Sequence, residues 1–303
     1  MNLSTPMQTF LPRFIGLILN TLGLINTKLA SKWALDLFSR PLKGRYKTIH
    51  PTLEAAEKRN FHFKKLAIKT YRWKGEKETA LLAHGWESNS GRWKNTVNSL
   101  LKSGYSVVAL DAPAHGASAG KSFNAVLYSE FIELVCTEFK PSILIGHSVG
   151  GMAISFFMKN SGYRFADKII LLGAPSGFAG IFKNYTDLMG FSSKLKRGIE
   201  ARVMRKFGHP SSYFNTAKFM GEVNCKGLVI HDHNDPVIPY SDAVEIQTAF
   251  KNSTLIATNG LGHGLKGKAV INHILAFLLK RPYHPRRLHQ LNSLLSPFQG
   301  VFH

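Results

Sequence analysis

Apolar and polar positions along this chain follow two periods, and the change from one to the other marks its elements. Residues 66–71 alternate apolar and polar with a period of two, which predicts a strand, and residues 79–83 form a continuous apolar run that reads as a buried one. Residues 92–101 then place Trp93, Val97, Leu100 and Leu101 at helical spacing, and Gly104 closes the helix. Further strands are predicted at 106–110, 142–147, 168–172, 227–230 and 254–257. Helices are predicted at 123–139, from the end of the 142–147 strand to about 160, at 241–250 and at 268–279. Short buried strands alternating with helices imply a mostly parallel sheet covered on both faces. The loops at its strand C-termini then gather the functional groups.

Two stretches stand outside that alternation. From Phe10 to Ile25 the chain is apolar apart from Arg13, Asn20 and Thr21, which falls short of the roughly 20 apolar residues of a spanning helix. A cleaved signal would want small residues before the cut, where Lys28 stands. Residues 10–40 are read as helical, and three readings stay open: packing on the body, lying at a membrane interface, or a signal. Residues 176–222 interrupt the strand pattern with aromatic and aliphatic positions, among them Leu195, Ile199, Val203 and Phe207 spaced by four. The layout expected is an N-terminal helical extension (1–45), a core (46–175 and 223–280), a helical lid (176–222) and a basic tail (281–303).

Composition narrows the function classes. With 303 residues and 44% hydrophobic content the chain can build a substantial core. Its two cysteines, Cys136 and Cys225, have no metal-ligand or disulfide-framework spacing, which fits a reducing, cytoplasmic setting. The balance of 39 basic to 18 acidic side chains gives a net charge of +21, a field that attracts anionic surfaces. No zinc-finger, basic-zipper or RNA-recognition signature accompanies it, so nucleic acid is not an expected partner. An anionic membrane surface is a candidate partner, beside the reading of a generally solvated basic surface.

The chemistry concentrates at the strand ends. Gly146-His147-Ser148-Val149-Gly150 follows an apolar run and precedes a helical stretch, the strand, sharp turn and helix order of a nucleophile elbow. Ser148 is therefore the candidate nucleophile. Acyl transfer also needs a base, a carboxylate to orient it and donors for the oxyanion. Asp235, after the 227–230 strand, offers the carboxylate, and His263, in a glycine-flexed loop after the last strand, offers the imidazole. The backbone amides of Trp86, in His84-Gly85-Trp86, and of Val149 are the candidate oxyanion donors.

These motifs together resemble the α/β-hydrolase family, in its serine-esterase branch with a small lid, across roughly residues 66–279. His84-Gly85-Trp86 is similar to the family's oxyanion loop. Residues 111–118 are similar to its D-x-P-G-H-G-x-S turn, with Ala114 in place of a glycine. The resemblance implies an α/β-hydrolase fold with a helical lid inserted after the sixth strand and a triad of Ser148, Asp235 and His263. It makes Asp111 and His115 structural, prefers Asp235 over its neighbour Asp232, and turns His147 away from the site. A serine at the elbow sets the chain apart from the aspartate-nucleophile branches. The implied activity is carboxylesterase- or lipase-like hydrolysis of small-molecule or lipid esters with apolar acyl groups. That chemistry requires neither cofactor nor metal. An acyl thioesterase on the same triad and a non-catalytic binding protein are the alternatives.

Overall fold

The computed structural model describes the backbone of residues 5–279, with side-chain surroundings from residue 10 onward. The basic tail 281–303 lies outside the described residues. Two N-terminal helices, α1 (Thr5–Ile25) and α2 (Thr27–Phe38), lead through the short α3 (Pro51–Glu54) into β1 (Glu57–Phe63), β2 (Leu66–Trp73) and β3 (Lys77–Ala83). Then come α4 (Lys94–Lys102), β4 (Tyr105–Leu110), α5 (Ala125–Phe139), β5 (Ile143–His147), α6 (Val149–Ser161) and β6 (Lys168–Leu172). Helices α7 (Phe178–Leu188), α8 (Ser193–Phe207) and α9 (Thr216–Met220) separate β6 from β7 (Lys226–Asp232). Helix α10 (Tyr240–Ala249), β8 (Ser253–Thr258) and α11 (Lys268–Leu279) complete the described chain.

The eight strands form one sheet in the order β1-β2-β4-β3-β5-β6-β7-β8. Pairing is parallel from β4 to β8, while β1 and β2 run antiparallel at one edge. Strand β1, sequence EKRNFHF, has no predicted counterpart. It is an edge strand with no fully buried position, and only Phe61 and Phe63 alternate towards the core, too short a pattern to mark a strand.

Successive strand residues point to opposite faces, and both faces are buried. Leu81, Val108, Leu144 and Val229 pack with α5, α6 and α10. Leu82, Val107, Ile145 and Ile230 pack with α4 and α11 on the other side. Burying each such side chain contributes about 1.5–3 kcal/mol, so the sheet is the rigid frame of the molecule.

A third apolar cluster lies apart from the sheet. Leu19 of α1, Ala34 and Leu35 of α2, and Leu195, Ile199 and Val203 of α8 pack with Met152 and Phe156 of α6. The N-terminal helices therefore pack on the segment that follows β6. Gly198 permits the approach of α8 to α2, because a Cβ there would stand 2.3 Å from the Ser31 hydroxyl. Asn20 fixes α1 from its own side: its amide donates to the Gly190 carbonyl at 2.9 Å and its oxygen accepts from the Ser192 amide at 2.8 Å. Among the described residues no helix is long and apolar enough to cross a membrane.

Candidate active site

Strand β5 ends at His147, and the chain turns at Ser148 with φ 53° and ψ −127° before α6 begins at Val149. That backbone is strained for a residue with a side chain. It is held because strand and helix crowd each other. A Cβ at Gly146 would meet the Gly151 Cα at 2.5 Å, and one at Gly150 would meet the Ala83 carbonyl oxygen at 2.3 Å. The Ser148 amide donates to the Leu172 carbonyl at 2.8 Å, which anchors the turn to β6.

His263 Nε2 lies 3.0 Å from the Ser148 hydroxyl, and its Nδ1 lies 2.7 Å from a carboxylate oxygen of Asp235. With a carboxylate at Nδ1, Nε2 is left as the acceptor for the serine proton. The Asp235 side chain is out of solvent, and its other oxygen accepts from the amides of Val237 (2.8 Å) and Ile238 (3.0 Å). The structure thus brings Ser148, His263 and Asp235 into one chain of hydrogen bonds.

Asp232 has a different task. It is buried, and it accepts from the Thr258 hydroxyl (2.7 Å) and from the amides of Leu261 (2.9 Å) and Asn234 (3.0 Å). Burial alone would raise its pKa, but these donors outweigh burial and hold it at about 2. The ionised carboxylate pins the start of the loop that carries His263.

The opposite wall of that loop rests on two residues that sequence reasoning placed elsewhere or missed. His147 does not turn away from the site. Its ring packs 5.0 Å from that of His263, and its Nε2 donates to the His263 carbonyl at 2.8 Å. Its Nδ1 accepts from Arg92, whose second terminal nitrogen donates to the Gly264 carbonyl at 2.9 Å. Burial first, then the adjacent guanidinium, holds His147 well below the usual imidazole range, so it stays neutral. Burial also lowers Arg92 to about 10, and the Trp93 ring, 4.9 Å away, offers its face to the cation. Nothing in the local pattern of residues 90–93 distinguishes Arg92 from an ordinary surface arginine, because its partners lie far along the chain.

The loop carrying Trp86 is fixed with equal care. Gly85 faces Ser148 so closely that a Cβ would stand 2.9 Å from the serine Cβ. His84 is buried and lowered to about 3, chiefly by burial; its Nε2 accepts from the Ala112 amide at 3.0 Å. His115 Nε2 accepts from the Glu87 amide at 3.0 Å, and Trp86 packs on Phe123 and His115. Asp111 accepts hydrogen bonds from Tyr46, Tyr71, Ser90 and Ala117. Asp111 and His115 both serve as framework for this loop. Val149 opens α6, so its amide is one of those that no intrahelical carbonyl reaches. Trp86, Ser148 and Val149 all line one cavity of about 590 Å³.

The cavity is roofed by helices. Leu11 and Ile15 of α1, Leu35 and Phe38 of α2, Phe178 and Tyr185 of α7, and Val203 and Phe207 of α8 line it. Met152 and Phe156 of α6 line its floor beside Ser148. The lining from α7 and α8 falls in the stretch expected to form the lid, 176–222; the share from α1 and α2 lies outside it. Among the described residues no group of histidine, cysteine and carboxylate side chains is placed to hold a metal ion.

A model of the alpha/beta hydrolase family matches residues 80–263, more than half of the chain, and takes in the elbow, Asp235 and His263. The chain belongs to that family. Within it, a non-heme haloperoxidase of Rhodococcus erythropolis is 24% identical over 239 residues, covering 63% of this chain and 87% of the relative. Est1E of Butyrivibrio proteoclasticus, solved with ferulic acid bound, superposes with a TM-score of 0.61 at 18% identity, covering 73% of this chain and all of the other. A thioesterase domain from the curacin biosynthetic pathway superposes at 0.56 with 16% identity, covering 74% of this chain and 99% of that one. As a member of the alpha/beta hydrolase family, the protein is a hydrolase. The family's match begins at residue 80, so the helices α1 and α2 that complete this hydrolase's cavity lie outside it.

Proposed function

We propose that this hydrolase cleaves carboxylic esters of apolar acyl groups through an acyl-enzyme on Ser148. The observation that carries the reading is the hydrogen-bonded chain Ser148–His263–Asp235, with steps of 3.0 and 2.7 Å, on the floor of an apolar cavity. The Ser148 oxygen attacks the ester carbonyl carbon while its proton passes to His263 Nε2. Negative charge gathers on the carbonyl oxygen, where the amides of Trp86 and Val149 donate to it. When the tetrahedral adduct collapses, the ester C–O bond breaks and the alcohol leaves with the proton from His263. Water then attacks the acyl carbon and gives its proton to His263, which returns one to Ser148 as the acid departs. Asp235 stabilises the imidazolium formed at both stages. Each amide contributes about 10²–10³-fold to the rate.

The apolar lining supports an apolar acyl group, and the helices α7 and α8, with α1 and α2, act as its lid. A thioester would meet the same groups, so an acyl-coenzyme A substrate is tested beside simple esters. Purified protein is expected to hydrolyse p-nitrophenyl esters and to be labelled by a fluorophosphonate. Ser148→Ala should abolish both. Labelling that survives the substitution removes Ser148 as nucleophile, and turnover of acyl-coenzyme A far above that of simple esters replaces the ester reading with the thioester one.

A further inference from the structure

Helix α1 is apolar on both sides but buried on only one. Ile15, Leu19 and Leu22 belong to the helical cluster, whereas Phe10, Phe14, Leu17, Ile18, Leu24 and Ile25 face outward, with exposures from 49% at Ile18 to 85% at Ile25. Those six recur at the spacing of a single helix face. Singly exposed apolar residues are ordinary, but a ridge over four turns, interrupted on its own face only by Thr21, marks a contact surface. Its fixed mounting shows that the ridge is not a loose end that could fold inward. Asn20 ties α1 to Gly190 and Ser192, and the Lys194 ammonium reaches the Leu24 carbonyl at 3.3 Å. Among the described residues nothing packs on the outer side.

The surroundings indicate what covers it. Residues 5–43 carry five basic side chains and one acidic, and helix α8, packed behind, carries six against one. Arg13 lies alongside Gly190, Lys194 stands at the end of α1, Lys28 opens α2, and Trp33 of α2 is half exposed. An apolar ridge bordered by cations and an amphipathic aromatic ring matches the interface of an anionic bilayer, where acyl chains meet charged headgroups. The same helix that bears the ridge lines the catalytic cavity through Leu11, Pro12 and Ile15. An acyl chain leaving a bilayer at this ridge meets the helix that walls the cavity holding Ser148.

We infer that the outer face of α1 docks on an anionic phospholipid surface and that the ester entering the cavity comes from that surface. The source of the substrate rests on the ester reading above; the docking does not. The full chain is floated with vesicles of phosphatidylcholine alone and with 30% phosphatidylglycerol, about the anionic share that gives a strong surface potential. Binding is expected to the anionic vesicles and to weaken as salt rises. Phe14→Asp with Leu17→Asp, neither residue lining the cavity, should weaken it by about tenfold or more, and Lys28→Glu by a smaller factor. Hydrolysis of a soluble p-nitrophenyl ester should stay unchanged in these variants, while hydrolysis of the same acyl group presented in anionic vesicles falls with binding. Equal binding to both vesicle types, equal binding by the double variant, or a dimer in sedimentation that the double variant dissolves would overturn the docking. Ser148→Ala should still float. A wild-type protein that floats but cleaves no ester leaves the docking standing and removes the ester reading.

Discussion

The floor and the roof of the cavity are built by different physics. Every functional group of the floor is held by hydrogen bonds: Asp235 by two amides, the His263 loop by Asp232 on one side and by His147 and Arg92 on the other, the Trp86 loop by His115. The roof is held mostly by apolar contact among α1, α2, α7 and α8, with few directional ties. Hydrogen bonds fix atoms to fractions of an ångström, as proton transfer demands, whereas apolar contact tolerates sliding and repacking. The chemistry is therefore expected to be rigid and the choice of acyl group adaptable.

The contrast is broken most severely at Asp235. Asp235→Asn is expected to lower kcat by about 10⁴-fold, because an amide presents the wrong partner to His263 Nδ1 and favours the unproductive tautomer. Stopped-flow or steady-state kinetics with a p-nitrophenyl ester will show it, with circular dichroism and melting unchanged. A loss below tenfold would mean that His263 is oriented by another group.

Removing the clamp at Arg92 comes next. Arg92→Met should lower kcat by about 10²-fold by releasing the loop at Gly264, with little change in KM. Arg92→Lys should not restore it, since one ammonium cannot reproduce the two-pronged contact with His147 and Gly264. The kcat-to-KM split separates a positioning role from a binding one.

On the roof, Phe178→Ala is expected to cost about tenfold in kcat/KM for long acyl esters and almost nothing for acetates. A chain-length series checks this. Equal losses across the series would show that the roof shapes the chemistry as well as the pocket.

The smallest effect lies in the turn that supports the floor. Ala114 has φ 63°, in the left-handed region, where the sequence pattern of this turn expects glycine. Relief of that strain is partly offset by the extra freedom glycine has when unfolded, so Ala114→Gly should stabilise the protein by about 0.5–1 kcal/mol, read by thermal melting.

The same division governs what could be read from the sequence. Ser148 and Asp235 were legible because each follows a buried strand whose apolar run is itself visible, and His263 because it follows the short half-buried edge strand β8; the parallel sheet brings those ends together. The fold was legible for the same reason. Strand β1 was not, since an edge strand that buries only the alternating Phe61 and Phe63, and those in part, carries too short a pattern. Arg92 and the true orientation of His147 were hidden because their partners are set by tertiary approach across as many as 172 positions. The roofing role of α1 was hidden for a third reason: a helix apolar on every side gives no sign of which face turns inward.

Glu87, two residues past the glycine that faces Ser148, accepts from the backbone amides of Leu42 (2.9 Å) and Lys43 (3.3 Å), while the Arg45 guanidinium holds the carbonyls of Gly116 and Gly120. The connector after α2 is thus stitched to both loops beside the nucleophile. Trimming the chain to its family-like portion would keep all three triad residues and still strip the Trp86 loop of its ties to Leu42 and Lys43. For protein engineers, a version lacking α1, α2 and the connector to Arg45 is expected to lose turnover.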